Sequence, residues 1–178
     1  MTIAATLVSH PDRPSAASGI DARVRRESGT LVFHFVLHAP ADRIRIPPAA
    51  AGGRADGLCQ HTCFEAFVRA GGTAYLELNF SPSGQWAIYR FSGYRAGMTP
   101  VPVATAPRIA VRRFDDRLEL EAAVPADALD AAPAEGAQLA LSAVVEDDSG
   151  RLSYWAVRHA PAQADFHHPD GFVLELPP

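Results

Sequence analysis

Lysine is absent from this 178-residue chain, whose 16 basic residues are all arginines. Methionine and cysteine are scarce, with two of each. No apolar run approaches the ~18 residues that a membrane-spanning helix requires. The formal net charge of −4 gives no basic excess for binding nucleic acid. We therefore expect neither nucleic acid nor a membrane as a partner.

The two cysteines, Cys59 and Cys63, are not expected to form a disulfide unless a turn lies between them. In an extended segment their Cα atoms would lie about 13 Å apart, whereas a disulfide needs less than about 7 Å. They could begin a metal site with His61, but no second ligand pair follows at zinc spacing. Residues 1–10 also lack the positive start of a secretory signal. We expect free thiols, no metal, no cofactor and a cytoplasmic location.

The apolar residues alternate with a period of two along most of the chain, which predicts β-strands. Asp115-Asp116 separates two such segments and predicts a hairpin. The one helical segment expected is a turn or two from Pro125 to Ala131. Ten or more short strands with frequent Gly and Pro turns predict an all-β, antiparallel sandwich, favoured over a barrel, in a single domain over residues 1–178.

A polar and aromatic face is predicted across three neighbouring strands, 62–69, 74–81 and 86–91. Such a face is either the solvent side of a sheet, with weak ion pairs, or a platform that binds a ligand. A sugar suits a platform, since its C–H faces are apolar and its rim is polar. The residues assigned to this face are Glu65, Glu77, Asn79, Trp86 and Arg90.

A second cluster lies near the C-terminus, at residues 154–159 and 165–170. Trp155 is followed by the small apolar residues Ala156 and Val157, which favours packing in the core. His167 and His168 stand between Asp165 and Asp170, as in a metal or acid–base site. Short loops of this composition more often cap turns through bonds from side chain to backbone.

The evidence for an enzyme is weak. Glu65 and Glu77 on adjacent strands could reach the roughly 5–9 Å separation of a glycosidase pair. However, no nucleophile elbow, P-loop, dinucleotide fingerprint or zinc-protease helix accompanies them. We expect no catalytic activity.

Several sequence runs together resemble bacterial DOMON-like domain proteins, which are related to the family 9 carbohydrate-binding modules. The most specific run is Asn79-Phe-Ser-Pro-Ser-Gly-Gln-Trp86. The resemblance extends from about Ile20 to Leu176. The other runs are His61-Thr-Cys-Phe-Glu65, Tyr89-Arg90-Phe91, Tyr94-Arg95, Tyr154-Trp-Ala156 with His159, and Asp165-Phe-His167.

The resemblance implies an immunoglobulin-like or jelly-roll β-sandwich that binds a ligand on or beside one sheet, since the wider superfamily binds sugars or haem. This sequence departs from the pattern at Cys59, where an aromatic residue, usually tryptophan, would be expected. If that ring stacks on the ligand in related proteins, the platform is smaller here. The positions matching the family pattern are Asn79, Ser81, Ser83, Trp86, Tyr89, Arg90, Trp155, His159 and His167.

We predict a non-catalytic domain that binds a small carbohydrate or a sugar-containing molecule, with Trp86 or Trp155 stacking on the ring. One alternative is a haem- or metal-binding redox module, with His61, His159 and Met98 as available axial ligands. Another is an interaction domain without a small ligand. The sequence predicts no oligomeric state. The complete predicted site comprises Glu65, Glu77, Asn79, Ser81, Ser83, Trp86, Tyr89, Arg90, Trp155, His159 and His167.

Overall fold

A computed structural model describes residues 2–129 and 136–178, which fold almost entirely into β-strands. Four one-turn 3-10 helices lie between them: η1 (Ala41–Arg43), η2 (Leu58–Gln60), η3 (Ala126–Leu129) and η4 (Pro169–Gly171). The strands of the described residues are β1 (Thr2–Ser9), β2 (Gly19–Glu27), β3 (Thr30–His38), β4 (Gly53–Arg54), β5 (Cys63–Arg69), β6 (Tyr75–Phe80), β7 (Gln85–Phe91), β8 (Thr99–Pro100), β9 (Arg108–Arg113), β10 (Arg117–Pro125), β11 (Ala137–Glu146), β12 (Leu152–Ala156) and β13 (Leu174–Leu176).

The strands form one curled sheet in the order β4-β7-β6-β5-β11-β12-β1-β2-β3-β10-β9, with β13 beside β11 and β8 beside β7. Neighbouring strands are antiparallel except β4 and β7. β1 pairs with β12 on one side and β2 on the other, so it joins the two halves of the sheet. Among the described residues, no helix has the length and apolar character needed to cross a lipid bilayer.

The main core lies where the two halves of the sheet face each other. Phe35 of β3 stacks on Phe64 of β5 with ring centroids 5.0 Å apart, and Phe33 of β3 meets Phe80 of β6 at 5.5 Å. All four rings are fully buried. Alternation places them on the inner faces of their strands, and burying rings of this size is the main stabilising contribution to such a core.

The structure confirms the strand pattern and the hairpin at Asp115-Asp116, which joins β9 to β10. The predicted helical segment shrinks to η3, because Pro125 is the last residue of β10. Its predicted end, Ala131, lies outside the described residues. The final strand begins at Leu174 rather than Phe172, whose ring packs in a second apolar cluster.

This second cluster covers the outer face of β5, β6 and β7. Tyr75 and Phe91 stack in parallel at 4.9 Å, and Phe67 and Phe172 pack around them. The segment after β12 lies across this face and brings His167 against the ring of Phe91, at 5.0 Å. The segment after β12 therefore covers part of the outer face of the sheet, and the candidate site lies at the edge of the covered part.

Candidate ligand-binding site

The register between β6 and β7 decides which side chains share a face. Glu77 lies opposite Tyr89, Asn79 opposite Ala87, and Trp86 opposite Phe80. Directly opposed residues point to the same side of a sheet. Glu77, Asn79 and Tyr89 therefore share the outer face, whereas Trp86 points inward with Phe80.

The predicted polar face is wrong for Trp86 and Arg90. The indole of Trp86 is 5% exposed and belongs to the main core. Arg90 lies opposite Leu76. Leu76 and Leu78 share the face of β6 that packs in the main core, so the backbone position of Arg90 belongs to the core-facing side of β7. The predicted alternation of side chains within β7 is correct. The sequence does not determine which face of β7 lies on the same side of the sheet as the polar face of β6, because the Ser81–Gly84 turn between the strands sets that pairing.

Trp155 is likewise a core residue and not a stacking platform. It is 5% exposed and packs in the main core. Its indole N–H points to the hydroxyls of Ser15 and Ser153, at 3.2 and 3.3 Å. Each of the two tryptophans is therefore sealed between the halves of the sheet, and neither reaches a cavity on the outer face.

A cavity of about 480 Å³ opens on the outer face of β6 and β7. This volume falls within the range of small-molecule sites, about 300–1,000 Å³. Four of the predicted site residues line it: Glu77, Asn79, Tyr89 and His167. The complete lining is Asp56, Gly57, Leu58, Cys59, Glu77, Asn79, Ala87, Tyr89, Phe91, Arg95, Met98 and His167.

Glu77 and His167 face each other across one side of the cavity. Oε1 of Glu77 accepts a hydrogen bond from the Asn79 amide at 2.7 Å. Oε2 of Glu77 lies 3.6 Å from Nε2 of His167, which is beyond hydrogen-bonding distance for a nitrogen and an oxygen. Their side chains are 12% and 15% exposed. Two polar atoms of largely buried side chains thus face each other in the cavity lining without a direct hydrogen bond.

His167 is neutral at neutral pH. Burial, assisted by the positive charge of Arg95, lowers the pKa of His167 to about 4. Nδ1 lies 2.8 Å from the hydroxyl of Tyr75, whose oxygen also accepts the backbone N–H of Arg95. We assign the phenolic proton to the bond with Nδ1, which places the ring proton on Nε2, facing Glu77.

Asp165 holds this side of the cavity together. Its buried carboxylate accepts bonds from the hydroxyl of Tyr94, from the guanidinium of Arg95 at 2.7 Å, and from the backbone N–H of His167 at 3.1 Å. Burial opposes ionisation, but the bonds from Tyr94 and Arg95 prevail and lower the pKa of Asp165. Arg95 has a left-handed φ of 52°, which is uncommon outside glycine, and its side chain turns toward Asp165.

The opposite wall is the turn that leads into η2. Gly57 has a φ of 71°, a conformation that favours glycine, and it is followed by Leu58 and Cys59 of the wall. Asp56 accepts the Tyr89 hydroxyl and two bonds from Arg54, at 2.6 and 3.2 Å. The Arg54 and Tyr89 bonds lower the pKa of Asp56, and burial raises the pKa of Tyr89, so the phenol stays protonated.

Glu65 lies behind the cavity and does not line it. It is 3% exposed, sits opposite Asn79 across the β5–β6 pair, and has the Ser142 hydroxyl 3.4 Å from its carboxyl group. Burial raises its pKa well above the ordinary value, with a further rise from the neighbouring Glu77. A carboxyl group sealed in this way cannot contact a substrate, so the two residues do not form the exposed pair that glycoside hydrolysis requires.

The remaining predicted residues are placed elsewhere. Ser81 and Ser83 are buried and bonded to each other at 2.9 Å within the β6–β7 turn. Nε2 of His159 lies 2.8 Å from the Val8 carbonyl. As for the predicted haem ligands, His61 is bonded to Glu146 at 2.7 Å, and Met98 is an exposed residue of the cavity lining. The structure therefore brings Met98, but neither histidine, to the cavity.

Sequence reasoning did not assign Asp56, Phe91, Arg95 and Met98 to the site. Tyr94-Arg95 belongs to the runs that carry the family resemblance, and this was the one signal that pointed to Arg95. Asp56 and Met98 lie in irregular segments, where alternation gives no information. Cys59, the position at which this sequence departs from the family pattern, lies in the cavity wall.

Comparisons with known proteins identify the fold. No family model matches the chain. No curated protein matches it either. A crystal structure of a putative carbohydrate-binding protein from Bacteroides uniformis ATCC 8492 superimposes with a TM-score of 0.70, at 15% identity, over 97% of this chain and 84% of that one. A family 9 carbohydrate-binding module from Caldicellulosiruptor kristjanssonii, in complex with cellotriose, gives 0.53 at 13% identity, over 92% and 79%.

These likenesses extend over nearly the whole chain, so it shares the overall architecture of two proteins whose names refer to carbohydrate binding. At such identities the likeness concerns the fold, and a fold alone does not determine function.

Proposed function

We propose that this chain is a non-catalytic module, a β-sandwich of the DOMON-like type, that binds a small sugar or sugar-like polyol in the cavity beside β6 and β7. The observation that carries the proposal is the pair of polar atoms facing each other, Oε2 of Glu77 and Nε2 of His167, separated by 3.6 Å. A hydroxyl group can donate to a carboxylate and accept from an imidazole N–H at the same time. One sugar hydroxyl placed at this edge would satisfy both.

The rest of the lining fits the same ligand class. Leu58, Phe91 and Met98 supply apolar surface for the C–H groups of a sugar. The Asn79 amide and the phenol of Tyr89 add polar atoms at fixed positions, since each is held by a hydrogen bond to a carboxylate. The two carbohydrate-related structural neighbours support the assignment as analogues of the fold.

Affinity should be modest, because sugar hydroxyls must lose water before they bind. We expect dissociation constants between micromolar and millimolar, roughly −4 to −8 kcal/mol. Isothermal titration calorimetry with neutral sugars, from glucose to cellotriose, tests this directly. Absence of heat with every one of these sugars and with charged derivatives of glucose, from a folded protein, would overturn the proposal.

A matched pair of variants tests the location. His167→Phe keeps a ring against Phe67 and Phe91 but removes the ring nitrogens. His168→Phe changes the adjacent histidine, which caps η4 and does not line the cavity. We expect the first variant to weaken sugar binding about tenfold and the second to leave it unchanged. Equal effects of the two substitutions would contradict this location.

A further inference from the structure

We infer that the cavity selects its ligand by charge: it favours sugars that carry a protonated amine and excludes sugars that carry phosphate or carboxylate. This inference rests on the proposed function, and it concerns which member of the sugar class the cavity accepts.

Arg95 lines the cavity and Arg54 contacts its lining residue Asp56, and both guanidinium groups are already paired with carboxylates. Arg95 donates to Oδ1 of Asp165 through Nε and Nη2, at 3.2 and 2.7 Å. Arg54 makes a bidentate pair with Asp56, at 2.6 and 3.2 Å. Such pairs are strong and geometrically specific. An incoming phosphate or carboxylate would have to compete with a carboxylate of the protein for each guanidinium.

The other titratable groups of the lining add no positive charge at neutral pH. His167 is neutral, because burial and Arg95 lower its pKa to about 4. Burial also raises the pKa of Cys59 and of Tyr89, so both keep their protons. His167 therefore offers a hydrogen-bond donor to a hydroxyl but no cation to an anion.

Glu77 is the acidic group of the cavity without a cationic partner in contact. Within the part of the chain that the structure describes, the basic side chain within 4 Å of its carboxyl group is the neutral His167. The Asn79 amide, its hydrogen-bond partner, is also neutral. Arg95 acts on it from farther away and is itself paired with Asp165.

Glu65, buried behind Asn79, adds no positive charge to this side, because its burial raises its pKa and favours the neutral acid. An ammonium group beside Oε2 of Glu77 would supply the missing positive charge, and it would do so in a partly buried place where charge interactions are stronger than in water. A phosphate in the same place would meet the carboxyl group of Glu77 instead. The electrostatic preference of the cavity is therefore for a cation.

Calorimetry at pH 7 with a series of glucose derivatives tests the inference. The probes are glucose, its amino derivatives at carbons 2, 3 and 6, the N-acetylated 2-amino derivative, and glucose 1- and 6-phosphate. We expect at least one amino sugar to bind about tenfold more tightly than glucose, equivalent to about 1.4 kcal/mol. Acetylation of an amine that gives this gain should abolish it, and both phosphates should bind at least tenfold more weakly than glucose.

Two variants show whether Glu77 causes the preference. Glu77→Gln removes the charge and keeps a similar shape, so it should abolish the advantage of the amino sugars. Asp42→Asn removes an exposed carboxylate outside the cavity lining and should retain the advantage. Circular dichroism and thermal denaturation verify that both variants fold.

The outcomes separate this inference from the proposed function. If no sugar of any charge binds, the proposed function fails and the inference falls with it. If glucose binds but a phosphate binds equally well, or no amino sugar exceeds glucose, the inference alone is overturned. Retention of the amine preference by Glu77→Gln would also overturn it.

Discussion

The neutrality of His167 gives a prediction about stability and pH. Its pKa in the folded protein is about 4, below the ordinary histidine value of 6.5, because the ring is buried and lies near Arg95. Protonation of this ring therefore favours the unfolded chain. The stabilising contribution is complete above about pH 6.5 and is lost as the pH falls toward 4.

The magnitude follows from these two pKa values. Proton uptake by the unfolded chain between pH 7 and pH 5 corresponds to about 2 kcal/mol of lost stability from this one group. Glu65 and Glu77 act in the opposite direction, since burial raises their pKa values and the folded state then takes up protons more readily. The pH profile of the native protein alone would therefore mix opposing effects.

The His167→Phe variant separates them, because it removes one titrating group and keeps the others. Urea denaturation at pH 7 and pH 5 gives the free energy of unfolding of each protein. We expect the native protein to lose about 2 kcal/mol more than His167→Phe over this interval. The His168→Phe control should follow the native protein. Equal losses for the native protein and His167→Phe would refute the assignment of a buried, neutral His167.

Two further predictions concern Trp86 and Cys59. Trp86→Ala should lower the free energy of unfolding, measured in urea, by about 3–5 kcal/mol, because the ring is in the core. Its affinity for sugar should be unchanged. Loss of binding by a folded variant would contradict the placement of Trp86 in the core. Cys59→Trp adds an aromatic ring to the cavity wall. The affinity for neutral sugars, measured by calorimetry, should rise several-fold because the ring can stack on the sugar. Weaker binding would show that the ring blocks the site.

Much of the fold could be predicted from alternation. Strands such as β3 and β10 place an apolar residue at every second position, and their inner faces form the core as that pattern indicates. The phase of β7 relative to β6 could not be predicted, because alternation applies within one strand and the intervening turn sets the pairing. A shift of one residue along β7 separates the observed outer face, which contains Tyr89, from the predicted one, which contains Trp86.

The candidate site was predictable only in part, for a related reason. Glu77 and Asn79 lie on a regular strand, so their common face follows from their spacing. Arg95 and Asp165 are 70 positions apart and meet through bonds between two loops. Such long-range pairing depends on how the loops pack, and a single sequence carries no periodic signal for it.

The most direct test of the account is to locate the bound sugar by nuclear magnetic resonance. A neutral sugar is titrated into isotopically labelled protein, and the backbone amide shifts are followed residue by residue. The account predicts saturable shifts concentrated around Glu77, Tyr89 and His167, and small changes around Trp155. Saturable shifts centred on another surface, or none at sugar concentrations in the millimolar range, would contradict it.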